Sequence, residues 1–202
     1  MNRKRWAFLG GALCLGVGVL VMVQCTGVRT HVKPPPPEIR DQQTRDWLVE
    51  IRSLAEAGDW LAIRGYHSTD DLVVTATNSP ISHVALFDLE GEQIVEAIGS
   101  GVQQRALKDF VHESHRVLLI RPKWWTREAG LDAIARARET VGKKYDFLGT
   151  VGLPSKKRFY CSELATWAYA EHHQENEHLP KVIEPGQLYL WGEILFDSGS
   201  RD

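Results

Sequence analysis

Cysteine is scarce in this chain. There are three cysteines in 202 residues, and only Cys161 lies beyond the first 29. A disulfide framework needs paired cysteines, so the chain is not a disulfide-rich domain. A net charge of −2 gives no reason to expect a nucleic-acid partner. The sequence also lacks an internal repeat and a glycine-rich phosphate loop. Its ordinary apolar and charged fractions predict one globular domain with appendages.

The first 29 residues predict a targeting segment. Three basic residues at positions 3–5 precede an uncharged apolar run from Trp6 to Val23. A spanning helix needs about 17–25 apolar residues, so the run is at the short end. We prefer an uncleaved inner-membrane anchor whose basic residues stay in the cytoplasm. A cleaved signal peptide or a lipoprotein modified at Cys25 are the alternatives. All three place the rest of the chain outside the cytoplasm, and an anchor would place it in the periplasm of a bacterial cell envelope.

Residues 30–37 contain four consecutive prolines and predict a stiff spacer. A run of prolines cannot continue a helix and favours an extended segment of roughly 3 Å per residue. We therefore expect this segment to hold the following domain, residues 38–202, clear of a membrane.

The domain itself predicts an α+β fold with a small antiparallel sheet packed on helices. Helical patterns cover Glu38–Ala57 and Arg127–Val141, and a third helix begins near Cys161. Short apolar runs bounded by turn residues predict strands between the first two helices. These runs are residues 60–63, 72–76, 82–87, 93–97 and 116–120.

Cys161 is a candidate nucleophile because it falls in the first turn of the third helix. The positive end of the helix dipole and the free N–H groups there favour a thiolate. Basic residues at 156–158 act in the same direction, whereas Glu163 opposes them. A nucleophilic cysteine also needs a base within hydrogen-bond reach and a group that orients the base.

His83 and Glu96 are the candidates for these two roles. His83 opens the strand "SHVALF", and the strand "QIVEA" follows after a short connection. A hairpin turning at about residues 89–90 would place Glu96 directly opposite His83, where Cβ atoms are about 4.5–5.5 Å apart. A slip of one residue would turn Glu96 to the other face. The expected arrangement follows the logic of a catalytic triad in a different chain order.

Each candidate also has a structural interpretation. A single helical cysteine is often a small core residue, a histidine at a strand start is often structural, and Glu96 is a candidate for the solvent-facing side. A disulfide between Cys25 and Cys161 is a further alternative in an oxidising compartment. Sequence spacing alone does not decide among these.

Several segments together resemble the permuted papain-like branch of the NlpC-type cysteine hydrolases, the YiiX/YebB-like group. They are "GDWLAIRG", "SHVALF", "VEAIGSGV", "KKYDFLG", "FYCSELATWAY" and the closing "VIEPGQLYLW", and they extend over about residues 58–191. The Ser-His and Tyr-Cys-Ser-Glu-Leu pieces are the specific ones. In this family the histidine strand precedes the cysteine helix, which is the order found here.

The resemblance implies residue roles. Cys161 would be the nucleophile and His83 the general base and then acid, with Glu96 as the third member. Tyr145 and Asp146 match a "YD" piece that lines the substrate cleft, and packing at a helix-to-loop corner is the alternative role for both. The implied reaction is hydrolysis of an amide or ester through a thioester intermediate.

The resemblance implies no metal and no other cofactor, and "EHHQENEH" (171–178) lacks a compact ligand pattern. Two substrate classes fit the superfamily: peptide bonds in peptidoglycan stems, which we prefer, and lipid-type amides or esters. A binding module of the cell envelope that has lost activity is the alternative from a different class. The oligomeric state is not predicted.

Overall fold

The protein is described here by a computed structural model that covers residues 30–201. The predicted N-terminal anchor and Cys25 lie outside these residues. Within residues 30–201, no helix combines the length and the apolar character that crossing a membrane requires.

A six-stranded antiparallel sheet forms the centre of the domain. Its strands are β1 Trp60–Gly65, β2 His83–Asp88, β3 Gln93–Ile98, β4 Gly101–Ala106, β5 Ser114–Pro122 and β8 Gly192–Asp197. They lie side by side in the order β4-β3-β2-β1-β5-β8. A separate parallel pair joins β6 Lys144–Tyr145 to β7 Arg158–Phe159.

Helices cover both faces of the sheet. They are α1 Pro37–Leu54, α2 Ser68–Thr77, α3 Leu107–His112, α4 Arg127–Arg138 and α5 Cys161–Ala168. Short 3-10 turns follow at Gly149–Val151, Ala170–His172 and Pro185–Trp191. The α+β prediction is confirmed, and two of the three predicted helices end about three residues early, at Leu54 and Arg138.

The core lies in two layers because successive strand residues point to opposite faces of the sheet. Val84 and Leu86 of β2 pack with α4 and α5, in the layer that includes Cys161. Ala85 and Phe87 of the same strand pack with α1 and α3 in the other layer. The strand is buried from both sides, so its sequence reads as a continuous apolar run.

The predicted strand at residues 72–76 is wrong, because this segment belongs to α2. The Asp70 carboxylate accepts a hydrogen bond from the His67 backbone N–H at 2.9 Å, which closes a capping box at the helix start. Asn78, with φ of 49°, ends the helix in the left-handed conformation. The β-branched residues favoured a strand locally, but the capping residues determine the structure.

The proline-rich segment makes contacts at both of its ends. The Thr30 carbonyl accepts a hydrogen bond from Arg64 at 3.0 Å, and Val32 is buried. Pro37 is the first residue of α1, a position where the missing N–H costs no helical hydrogen bond. The spacer role of this segment stays a prediction.

Candidate active site

Cys161 is the first residue of α5 and carries a free, 6% exposed side chain. The backbone N–H groups of the first helical turn have no partner within the helix. The helix start is fixed by Glu163, whose carboxylate accepts a hydrogen bond from the Tyr160 N–H at 3.2 Å. The sequence prediction that a helix begins at the cysteine therefore agrees with the structure.

His83 is the first residue of β2, and its imidazole is hydrogen-bonded to both Cys161 and Glu96. The imidazole Nε2 lies 2.7 Å from a Glu96 carboxylate oxygen. Burial lowers the pKa of His83, but the hydrogen bonds to Cys161 and Glu96 and the negative charges of these groups raise it to about 10. The surroundings therefore favour the charged imidazolium form of His83.

Glu96 is held by three partners although its side chain is only 1% exposed. Besides His83, the Gln103 amide donates a hydrogen bond at 2.8 Å and the Arg105 guanidinium lies 2.8 Å away. Burial alone would raise the pKa of Glu96, but the His83 hydrogen bond and charge, the charge of Arg105 and the Gln103 amide lower it to about 2. The carboxylate is thus ionised and fixed.

The hairpin register differs from the predicted one by two residues. Glu96 pairs with Ala85, not with His83, because the turn spans residues 89–92, with positive φ at Gly91 and Glu92. A shift of two residues keeps Glu96 on the same face as His83, and diagonal neighbours are still within reach of long side chains. The predicted pair therefore forms with a different register.

Ser82 fixes the start of the histidine strand. Its hydroxyl donates to the Asp70 carboxylate at 2.6 Å and accepts from the Gly65 N–H at 3.1 Å. All three residues are buried. Through this contact the capping residue of α2 also anchors the backbone next to His83.

Tyr145 and Asp146 lie on the other side of the cysteine and differ in their surroundings. Tyr145 is half-buried and close enough to Cys161 for a charge there to act on its hydroxyl. Burial, followed by the charge of Cys161, raises the pKa of Tyr145. Asp146 is buried, and its two oxygens accept backbone N–H bonds from Gly149 at 3.1 Å and Ser155 at 2.7 Å. This placement favours the packing role for Asp146 and leaves Tyr145 as the candidate for lining the cleft.

Glu163 also has an altered ionisation. Burial raises the pKa of Glu163 to about 7, against the opposing hydrogen bond from Tyr160, and the charge of Asp146 adds to the rise. The carboxyl group is therefore partly protonated near neutral pH. The negative charge of Glu163, which would disfavour a thiolate at Cys161, is correspondingly smaller.

Sequence reasoning missed Gln103 and Arg105. Both belong to β4, a strand whose sequence "GVQQRA" lacks an apolar alternation. They are two residues apart and therefore project from the same face of the sheet toward Glu96. Their spacing was the only signal in the sequence, and it is meaningful only once β4 is placed beside β3.

No group of three or more histidine, cysteine, aspartate or glutamate side chains in residues 30–201 is arranged to hold a metal ion. The interacting groups at the centre of the site are Cys161, His83 and Glu96.

Comparisons with known proteins agree with the resemblance seen in the sequence. The sequence model described as "Permuted papain-like amidase enzyme, YaeF/YiiX, C92 family" matches residues 56–188. Among solved structures, one match is described as "metalloprotein yiiX from Escherichia coli O157:H7", with 24% identity and a TM-score of 0.49. The match covers 58% of this chain and 66% of that one, just under two thirds of its length. No curated protein matches. Because the family match extends over more than half of the sequence, the chain belongs to the YaeF/YiiX family of permuted papain-like amidases.

Proposed function

We propose that this protein is a cysteine hydrolase that cleaves an amide bond, with Cys161 as nucleophile, His83 as acid and base, and Glu96 as the orienting carboxylate. The hydrogen-bonded series from the buried Glu96 through His83 to a cysteine at a helix start carries this proposal. Family membership supports the reaction class.

The chemistry follows from the ionisation of the site. The Cys161 thiolate attacks the substrate carbonyl, and the backbone N–H of Cys161 at the helix start is a donor for the oxyanion. The His83 imidazolium then gives its proton to the leaving amine as the C–N bond breaks, leaving a thioester. Neutral His83 next takes a proton from water, which attacks the thioester and releases the acid and the thiolate. Glu96 holds the imidazole in orientation and stabilises its charge throughout.

We further propose that the protein acts in the bacterial cell envelope, tethered to the inner membrane through residues 1–29, with its domain in the periplasm. The apolar run after three basic residues supports this location. Of the two substrate classes that the family resemblance implies, stem peptides of peptidoglycan are the one that we prefer.

A lipid-type amide or ester is the second candidate substrate, and one specific observation favours it. Tyr145, close to Cys161, contacts the ring of Phe147 at 4.8 Å, and Phe147 belongs to a loop whose large apolar side chains are exposed. An acyl chain would find apolar surface beside the nucleophile there.

The test is turnover by the full-length protein in detergent with muropeptides and with lipid amides and esters. We expect hydrolysis of one class and none by Cys161→Ala. Thiol labelling separates the enzyme from an inactive binding module: iodoacetamide should label Cys161 readily at pH 7, and His83→Ala should slow the reaction. Equal, slow labelling of both proteins, together with no turnover of either class, would contradict the proposal.

A further inference from the structure

The loop between β6 and β7 exposes four large apolar side chains. Phe147, Leu148, Val151 and Leu153 are 63%, 57%, 70% and 65% exposed. Single exposed apolar residues are ordinary, but four within seven positions form a patch of the kind that marks an interface with a protein or a membrane.

Basic side chains border the same loop. Lys144 of β6 lies opposite Arg158 of β7, and Lys156 and Lys157 directly precede Arg158 in the chain. All four are exposed, and in the part of the chain that the structure describes none has an acidic side chain within ion-pair distance. We call residues 143–158 the basic lobe. Its one acid, Asp146, is buried and engaged by backbone N–H groups. The lobe is therefore strongly cationic although the whole chain has a net charge of −2.

The lobe has a defined shape. The Asp146 carboxylate closes the loop by accepting from Gly149 and Ser155, and Gly152 turns the chain with φ of +84°. A Cβ on Gly149 would lie 2.7 Å from the Asp146 carboxylate, so the turn is tightly packed at its base. The apolar side chains are thus presented outward from a fixed base.

We propose that the basic lobe docks on an anionic lipid bilayer, with the four apolar side chains entering the interface and the basic side chains contacting lipid phosphates. Apolar residues bordered by lysine and arginine are the pattern by which surface-bound segments enter membranes. A soluble polyanion would satisfy the charges but leave the apolar side chains in water. A second copy of the chain would bring two cationic lobes together.

Docking would bring the nucleophile toward the bilayer surface, since Tyr145, which belongs to the lobe, lies close to Cys161. This inference does not depend on the reaction: the lobe docks whether or not the site cleaves an amide, and its test uses a protein without the catalytic cysteine.

The experiment measures the environment of the lobe in the full-length chain. The three native cysteines are replaced by alanine, Val151→Cys is labelled with the fluorophore NBD, and the protein is reconstituted with vesicles of phosphatidylcholine alone or mixed with phosphatidylglycerol. We expect a blue shift and a rise in NBD emission on the vesicles that contain phosphatidylglycerol, and a reversal at high salt. The control is Leu72→Cys, an equally exposed apolar site (69%) on α2 outside the lobe. NBD at this position should show the emission of an aqueous environment with both kinds of vesicle.

Two variants of the labelled protein test the chemistry. Each basic residue near an anionic surface contributes roughly fivefold to binding, so combining Lys156→Gln, Lys157→Gln and Arg158→Gln should lower the ratio of docked to undocked lobe about 100-fold. The combination Arg45→Gln, Lys108→Gln and Arg127→Gln makes the same charge change elsewhere and should leave the ratio nearly unchanged. Leu148→Ser with Leu153→Ser should weaken docking without altering the charge.

Three results would overturn the proposal. They are identical emission from position 151 on both vesicles, identical emission from positions 151 and 72, and an emission change that follows protein concentration without lipid. The last of these would assign the patch to a second copy of the chain.

Discussion

Removing the charge of Glu96 should make Cys161 less reactive at low pH. Glu96→Gln keeps the shape and the capacity to hydrogen-bond, but it removes the negative charge that stabilises the His83 imidazolium. Because that imidazolium is the positive partner of the thiolate, the thiolate should then form only at higher pH. The expected change is an upward shift in the pH profile of Cys161 alkylation.

The magnitude follows from the ionisation of Glu96. Its pKa is lowered from 4.5 to about 2, and one pKa unit corresponds to about 1.4 kcal/mol, so the surroundings favour the charged form by about 3 kcal/mol. The side chain is 1% exposed, so solvent does not screen this interaction appreciably. Three residues lower the pKa of Glu96 and His83 acts most strongly among them, so assigning it about half gives roughly 1–2 kcal/mol, on the order of a tenfold change.

The assay is the rate of iodoacetamide alkylation of Cys161 as a function of pH, with the site of labelling confirmed by mass spectrometry. We expect the Glu96→Gln rate to be about tenfold below that of the unaltered protein at pH 6 and to approach it at alkaline pH. Glu113→Gln is the matched control, because Glu113 also pairs with Arg105 but is 43% exposed. Equal rates for the Glu96→Gln and Glu113→Gln proteins at pH 6 would refute the assigned role of the carboxylate.

Four further outcomes are expected. His83→Ala should slow alkylation of Cys161 at pH 7 by tenfold or more, because the thiolate loses its cationic partner, and restored labelling at pH 9 would distinguish this from misfolding. In urea denaturation, the free energy of unfolding should fall as the pH drops from about 4.5 to 2, since Glu96 binds a proton more readily in the unfolded chain. The stabilisation from His83 has the opposite pH dependence. It should be complete below the ordinary histidine pKa of 6.5 and be lost as the pH rises toward 10. The decrease in unfolding free energy at acid pH should be smaller in Glu96→Gln, and the decrease at alkaline pH should be smaller in His83→Ala. Unchanged pH dependence in both variants would contradict the link between these pKa shifts and stability. Asp146→Ala should cost about 1–3 kcal/mol in the same assay, because it leaves the Gly149 and Ser155 N–H groups without an acceptor, and it should expose residues 147–155 to limited proteolysis. Gly58→Ala should cost roughly 2–4 kcal/mol, since φ is +86° and the added Cβ would lie 2.8 Å from two backbone atoms of Gly130; Gly142→Ala, with φ of +88° and open space, should cost only about 1 kcal/mol.

The elements that the sequence predicted well are those in which local pattern and tertiary environment agree. Strands β1, β2 and β5 contain continuous apolar runs because helices bury them on both faces, β3 is apolar after its first residue except at Glu96, and turn residues mark the strand ends. The start of α5 was predictable because its basic loop gives way to an apolar helical pattern at Cys161. The failure at α2 has the opposite cause: Leu72 is 69% exposed whereas Val74 is buried, so the apolar run there does not follow the buried face.

The candidate site was predictable in its residues but not in its geometry. His83 and Glu96 come together although the register differs by two positions, because a two-residue shift preserves the side of the sheet to which each side chain points. Gln103 and Arg105 were not predictable, since polar side chains facing a buried carboxylate give β4 no apolar alternation. Their presence can be explained only by the charge of Glu96, which needs donors once it is removed from water.

The two sides of Cys161 differ in how strongly their side chains are held in place and in how far they are exposed to solvent. On one side His83 and Glu96 are held by three adjacent strands, by Ser82 and by paired charges, so the acid-base machinery is rigid and removed from solvent. On the other side Tyr145 leads into a loop whose apolar side chains are exposed and contribute nothing to the core. A folded chain gains no stability from exposing these side chains, whereas it gains stability from every contact around Glu96. We therefore expect substrate to approach the sulfur from the side of the loop, so that changes in the basic lobe alter KM and lipid dependence while changes at Glu96 alter kcat.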